Sequence, residues 1–135
     1  MSAKPKLVYS SEIPPIYPQL REKFGADWDN GVIIAYDGRI HAKEVPAPQK
    51  WIHEGVHLDR QKEIGNEAFW RLYLESDQFR LEEELLAYLA EADFIKKNIR
   101  DREARFHLIM EIARGFSSSL YGGIIGTQEA YRLLK

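Results

Sequence analysis

The chain has 135 residues, no cysteine, four histidines and a formal net charge of −2. Without cysteine it forms no disulfide, thiolate zinc site, iron–sulfur cluster or cysteine nucleophile, so any transition metal must rest on His, Asp or Glu. Hydrophobic residues at 44% and charged residues at 30% describe a globular chain with a real core, and the near-neutral charge offers no basic face for nucleic acid.

Pro5, Pro14, Pro15 and Pro18 make residues 1–18 an extended N-terminal arm, because proline fixes φ and removes a donor. A short helix is expected over 18–24, closed by Gly25. Residues 32–36 are β-branched and aromatic, Asp37-Gly38 is a two-residue turn, and residues 39–45 largely alternate polar and apolar. This is a β-hairpin whose second strand reads as a sheet edge with His41 exposed. Pro46 and Pro48 end it. A helix runs from Gln49 to about Glu63, with Trp51, Ile52, Val56 and Leu58 as its apolar face, until Gly65 interrupts. Ala68, Phe69, Leu72 and Tyr73 mark a short helix ending near Leu74. Ser76 caps a long helix to about Lys97, carrying Leu81, Leu85, Leu86, Leu89 and Phe94. A further helix spans 101–114, with Phe106, Ile109, Met110 and Ala113 inward. Residues 117–119 with Gly122 and Gly123 form a connector, and Thr127 caps a last helix over 128–134.

The fold class is therefore α+β, mostly helical with a small β-hairpin or sheet before the helix of residues 49–63. No repeat or linker divides the chain, which reads as one domain over 1–135. No stretch reaches the ~18–20 apolar residues of a membrane span, and no apolar run follows Lys4 and Lys6. The expectation is a cytoplasmic protein that meets neither membrane nor nucleic acid; the sequence is silent on oligomeric state.

His53-Glu54-Gly55-Val56-His57 is an HExxH motif. Residues i and i+4 share one helix face, so both imidazoles can reach one cation at about 2.0–2.1 Å. Glu54 stands about 100° round the helix, placed to touch a water on that cation without ligating it. Zinc would acidify such a water toward pH ~7, and Glu54 would take its proton and pass it to the leaving amine. Gly55 opposes the helix by up to ~1 kcal/mol unless something packs closely there. The bland alternative is a solvated helix with two incidental histidines.

Two histidines leave a catalytic zinc one protein ligand short. His107 lies in a stretch that reads as core. Arg60 and Glu63 stand where a third-histidine pattern would place Gly and His. Glu82, Glu83 and Glu84 offer three carboxylates at the start of the long helix, the alternative for such a run being a solvated face.

HExxH followed by a helix bearing Glu-x-x-Ala resembles the gluzincin branch of the zincin metallopeptidases. Glu84-Leu85-Leu86-Ala87 matches that second element, whereas Glu82 and Glu83 do not precede an alanine by three. The resemblance covers residues 32–92. It implies Zn²⁺ on His53, His57 and Glu84, Glu54 as general base and acid, and a peptide or protein substrate. Many relatives place Asp four residues after the ligand Glu to support a zinc histidine. Tyr88 stands there instead, with a hydroxyl that could bond a ligand. Gln61, one turn beyond His57, either orients a ligand or faces solvent. An oxyanion donor could come from Tyr73, Arg80, Tyr88, His107 or Tyr121, with core packing the plain alternative for each tyrosine. The strand before the motif helix, residues 39–45, would form the cleft rim where an extended substrate adds. The helices after residue 92 would be a cover, as in small bacterial or phage members. The competing function is a non-catalytic protein, metal-pinned or a degenerate zincin fold, serving as a phage-type binding or accessory protein. A metal-free helical interaction module is the third.

Overall fold

The computed structural model describes residues 7–118 and 121–135; the readings placed on Pro5 and Ser119 lie outside them. The sheet has three short strands, β1 (Val8–Ser10), β2 (Ile34–Tyr36) and β3 (Arg39–His41), in the order β1-β3-β2. The hairpin forms as expected. Asp37 (φ 46°) and Gly38 (φ 83°) both take left-handed backbone, the requirement of the tight turn whose twist suits flanking strands. Asn66 Oδ1 accepts from the Asp37 amide at 3.0 Å and holds that turn.

The second strand is not an edge. β1 pairs with β3 in parallel, Tyr9 against Ile40, while β2 pairs with it antiparallel, Ala35 against Ile40. β3 is therefore the centre of the sheet and Ile40 is fully buried. His41, expected in solvent, is buried and its Nδ1 donates to the Glu12 carbonyl at 2.8 Å. Part of the supposed arm thus becomes a strand, and Pro14, Ile16 and Tyr17 join the interior.

Among the described residues the α-helices are six: α1 (Tyr17–Phe24), α2 (Pro48–Ile64), α3 (Asn66–Glu75), α4 (Asp77–Asn98), α5 (Arg102–Phe116) and α6 (Thr127–Leu134). Gly25 ends α1 at φ 72°. Ser76 Oγ accepts from the Phe79 amide at 3.1 Å and starts α4, as its position predicts. Thr127 is not a cap. Gly126 holds that position, and the Thr127 hydroxyl is 2.7 Å from that of Ser117.

Apolar residues gather in two main clusters. One joins α4, α5 and α6 through Tyr88, Ile95, Ile112, Phe116 and Leu134. The other joins α1, β2 and α3 through Leu20, Phe24, Ile34, Phe69 and Tyr73. A small third cluster of Ala35, Ile40 and Leu58 seats the sheet on α2. Several expected core positions face outward: Phe106 is 47% exposed, Leu86 46% and Leu89 41%. Trp51, Ile52 and Val56 on α2 are only half-buried. No helix among the described residues is long and apolar enough to cross a membrane.

Candidate metal centre

What α2 buries is polar: His53, Glu54, His57 and Gln61, with Leu58 the one apolar member. The facing helix α4 buries Arg80, Glu83, Glu84 and Glu91 beside Ala87, Tyr88, Ala92 and Ile95. Charges removed from water cost several kcal/mol each unless they are paired or bind metal. Two helices that turn their ionisable stripes toward each other, while leaving leucines outside, are built around those stripes.

The stripes converge on one carboxylate. His53 Nε2 lies 3.1 Å from Glu84 Oε1, and His57 Nε2 lies 3.2 Å from Oε1 and 3.1 Å from Oε2. Donor atoms bound at 2.0–2.1 Å to a tetrahedral ion are about 3.3–3.4 Å apart. The two imidazoles and the carboxylate thus already sit near ligand–ligand spacing. Ligand atoms of His53, Glu54 and His57 also lie within 4.8 Å of one another, so these buried residues could hold a metal ion. Both acids are near the histidines, but they are occupied differently. Glu84 touches both rings and accepts from the Tyr73 hydroxyl at 2.7 Å. Glu54 Oε2 is buried with no partner.

Of the three consecutive glutamates only Glu84 enters this cluster. Glu82 accepts from Gln78 Nε2 on the exposed surface. Glu83 is taken by Arg60, whose Nε and Nη2 reach its Oε1 at 3.1 and 2.9 Å.

Support for His53 comes from a residue the sequence reading missed. His53 Nδ1 donates to Glu91 Oε1 at 3.0 Å, and Lys50 Nζ lies 2.9 Å from Glu91 Oε2. A carboxylate on the second ring nitrogen fixes tautomer and orientation and makes the first a better ligand. Tyr88, expected there, does something else. Its ring packs edge-on to His53 at 4.3 Å between centroids, and its hydroxyl pairs with that of Tyr121 at 2.8 Å. Gln61 is buried, not solvated, and bonds no ligand. Its Nε2 donates to the Ala35 carbonyl at 2.7 Å and ties α2 to β2.

The remaining candidates for charge stabilisation divide plainly. His107 is exposed on α5, 3.8 Å from Glu103, and contributes nothing here. Arg80 is buried, but its Nε and Nη1 are spent on the carbonyls of Tyr121 and Tyr73, each at 2.7 Å. Tyr73 and Tyr121 do line the same cavity as Glu54, His57 and Glu84, a space of about 50 Å³ walled otherwise by apolar side chains.

Electrostatics follow from burial and mutual charge. Burial opposes a charged His53, yet the carboxylates of Glu84 and Glu91 outweigh it and push the imidazole up to about 10. His57 is raised too, burial opposing and Glu84 prevailing. Burial also opposes ionisation of Glu84, but the two histidines hold its carboxyl well below the usual range. Glu54 moves the other way, upward, because burial outweighs the histidines' attraction. Burial likewise raises the phenols of Tyr73 and Tyr121, keeping them protonated donors. Without metal, then, the cluster is an ion pair with the charge of the cation supplied by protons.

Comparison with known protein families, curated proteins and solved structures finds no match to this chain, so its function must be argued from the site itself.

Proposed function

We infer that the chain is a zinc-dependent hydrolase of the gluzincin kind, most simply a metallopeptidase. His53, His57 and Glu84 are its metal ligands and Glu54 its general base and acid. The observation that carries this reading is the convergence of both Nε2 atoms on the Glu84 carboxylate at 3.1–3.2 Å in a buried interface. Zinc bound there would polarise a carbonyl and acidify water. Two nitrogens and a carboxylate with an open fourth position are a donor set suited to that ion.

The chain's own groups divide the remaining work. Glu91 holds His53 through Nδ1, and Tyr73 holds Glu84 through Oε2. Glu54 keeps a free oxygen and a carboxyl raised by burial, the condition for taking a proton and then returning it to a leaving amine. β3 has partners on both sides, so an extended peptide would lie along the outer edge of β2. Residues 32–35 of that edge line the cavity with Glu54 and His57.

A second reading is favoured by one observation: the cavity holds only about 50 Å³, small for a substrate. On that reading the metal is a structural pin in a binding or accessory protein. Metal content and cleavage of a peptide panel, measured on wild type, Glu54→Gln and Glu84→Ala, separate the two. The metallopeptidase reading expects zinc and cleavage in wild type, zinc without cleavage in Glu54→Gln, and neither in Glu84→Ala. Zinc in wild type without cleavage of any peptide supports the pin.

A further inference from the structure

α4 turns a stripe of mixed character outward. Glu82, Leu86, Leu89, Asp93 and Lys96 follow one another at alternating spacings of four and three, so they share one helix face. Leu86 is 46% exposed and Leu89 41%, and Glu82, Asp93 and Lys96 are exposed with them. Half-buried Ala90 and Phe94 carry the apolar surface sideways. On α2 the stripe of Ile52, Val56 and Arg60 adjoins it, because Arg60 reaches Glu83 on that side of α4. A single exposed leucine is ordinary, but partly exposed apolar residues continuous across two packed helices make a patch. The patch lies behind the metal cluster. Ile52 and Glu54 stand about 100° to either side of His53, and it is Glu54 that lines the cavity.

We propose that this patch pairs with the same patch of a second copy of the chain, α4 against α4 antiparallel, about a two-fold axis at Leu89. The order of charges selects that partner. Glu82 precedes Leu89 by seven residues and Lys96 follows it by seven. Turning one copy end for end about Leu89 therefore sets each Glu82 level with the partner's Lys96, about 10 Å along the helix from the axis. Each copy gives and receives the same ion pair, the self-complementarity a two-fold interface requires. Leu89 meets its counterpart at the axis, and Leu86 of each copy packs beside it. Asp93, also on the stripe, is matched within its own helix by Lys97 at 2.9 Å. A parallel pairing would set glutamate on glutamate and lysine on lysine, and like charges oppose it. The helix dipole accounts for lysines near the end of α4, but not for two leucines turned outward between the acid and the base. The contact spans about 21 Å of helix, at the low end of interface sizes, so the dimer is weak and reversible. It is independent of the metallopeptidase reading, since the cavity faces away from it.

Sedimentation equilibrium of the full chain, from about 10 to 500 µM at low ionic strength, tests the pairing. The proposal expects a reversible monomer–dimer equilibrium that weakens as salt is added. Glu82→Lys alone, or Lys96→Glu with Lys97→Glu, sets like charges at both ends and should weaken pairing about tenfold. Mixed one to one, these two variants should form a mixed dimer of wild-type strength, because the reversed charges match again. Leu89→Ser should be monomeric throughout, with the circular dichroism of the wild type. A wild type that stays monomeric across the range overturns the proposal. So does a dimer indifferent to these substitutions, a mixture of charge variants that fails to pair, or growth beyond a dimer, which a closed two-fold forbids. None of the substitutions touches His53, His57 or Glu84, so zinc titration of the same samples judges the metal site separately.

Discussion

Glu54 and Glu91 share one buried interface and are asked to do opposite things. Glu91 Oε1 accepts from His53 and Lys50 and its Oε2 lies 2.9 Å from Lys50 Nζ, so the carboxylate is a fixed support. Glu54 Oε2 has neither a hydrogen bond nor an ion pair to hold it. Replacing each by its amide therefore separates two effects. In Glu91→Gln, zinc affinity measured against a competing chelator should fall about 10- to 100-fold, the usual range for a lost support of a metal histidine. In Glu54→Gln the affinity should change little while peptide cleavage is lost. The protonation of the metal-free site gives a further expectation. His53 ionises near 10 and must shed its proton to ligate, so apparent zinc affinity should rise with pH between about 7 and 10. Calorimetry in buffers of different ionisation enthalpy should show proton release on binding. His53, Glu54 and His57 were readable as a pattern because spacing along a helix is geometry, and Glu84 was singled out among three glutamates by its resemblance to the Glu-x-x-Ala element. Glu91 was not, because the family pattern pointed at position 88. Seven residues beyond Glu84 return to the same helix face within about 20°, so helical period alone could have found it.

At the scale of the element, helical periodicity shows that a stripe exists but not which stripe faces inward. On α2 and α4 much of the expected apolar face lies on the wrong side, although Leu58 is buried and Leu81 and Leu85 pack on the core. Trp51, Ile52, Val56, Leu86 and Leu89 stay partly exposed while His53, His57, Glu84 and Glu91 go in. The buried polar residues could hold a metal ion, which would reward convergent donors over buried methyl groups, and two clusters elsewhere supply the apolar core. The sheet was misjudged for a different reason. Val8–Ser10 is too short to announce itself as a strand, so β3 looked like an edge although it lies at the centre. Gly55 offers a test of the motif helix that leaves the site alone. A methyl added there would meet Leu7 Cδ1 at 3.6 Å, an ordinary contact. Gly55→Ala should therefore stabilise α2 by about 0.5–1 kcal/mol and raise Tm by a few degrees in a thermal melt.

For the whole molecule, the consequence is a fold with two apolar clusters, both packed against Tyr121, and a polar seam between α2 and α4. The seam's contribution depends on pH and metal. Without metal, His53 is raised above the ordinary histidine value, so its stabilisation is full below about 6.5 and is lost as pH rises through about 10. Glu84 is lowered, so its contribution is present above the ordinary carboxylate range and is lost in strong acid. Metal-free protein should accordingly lose stability in urea melts from about pH 7 to 10. Zinc should reverse that trend, because the deprotonated histidines are the ones that bind it. At a hundredfold excess over Kd, zinc should add about 2.7 kcal/mol to unfolding free energy.

The central claim is that the seam between α2 and α4 is a zinc site completed by Glu84. Titration of zinc into chelator-stripped protein, followed calorimetrically for wild type and Glu84→Ala, tests it most directly. The account predicts one saturable zinc per wild-type chain and loss of that binding in Glu84→Ala. Absence of saturable binding to the wild type, or undiminished binding to Glu84→Ala, would contradict it.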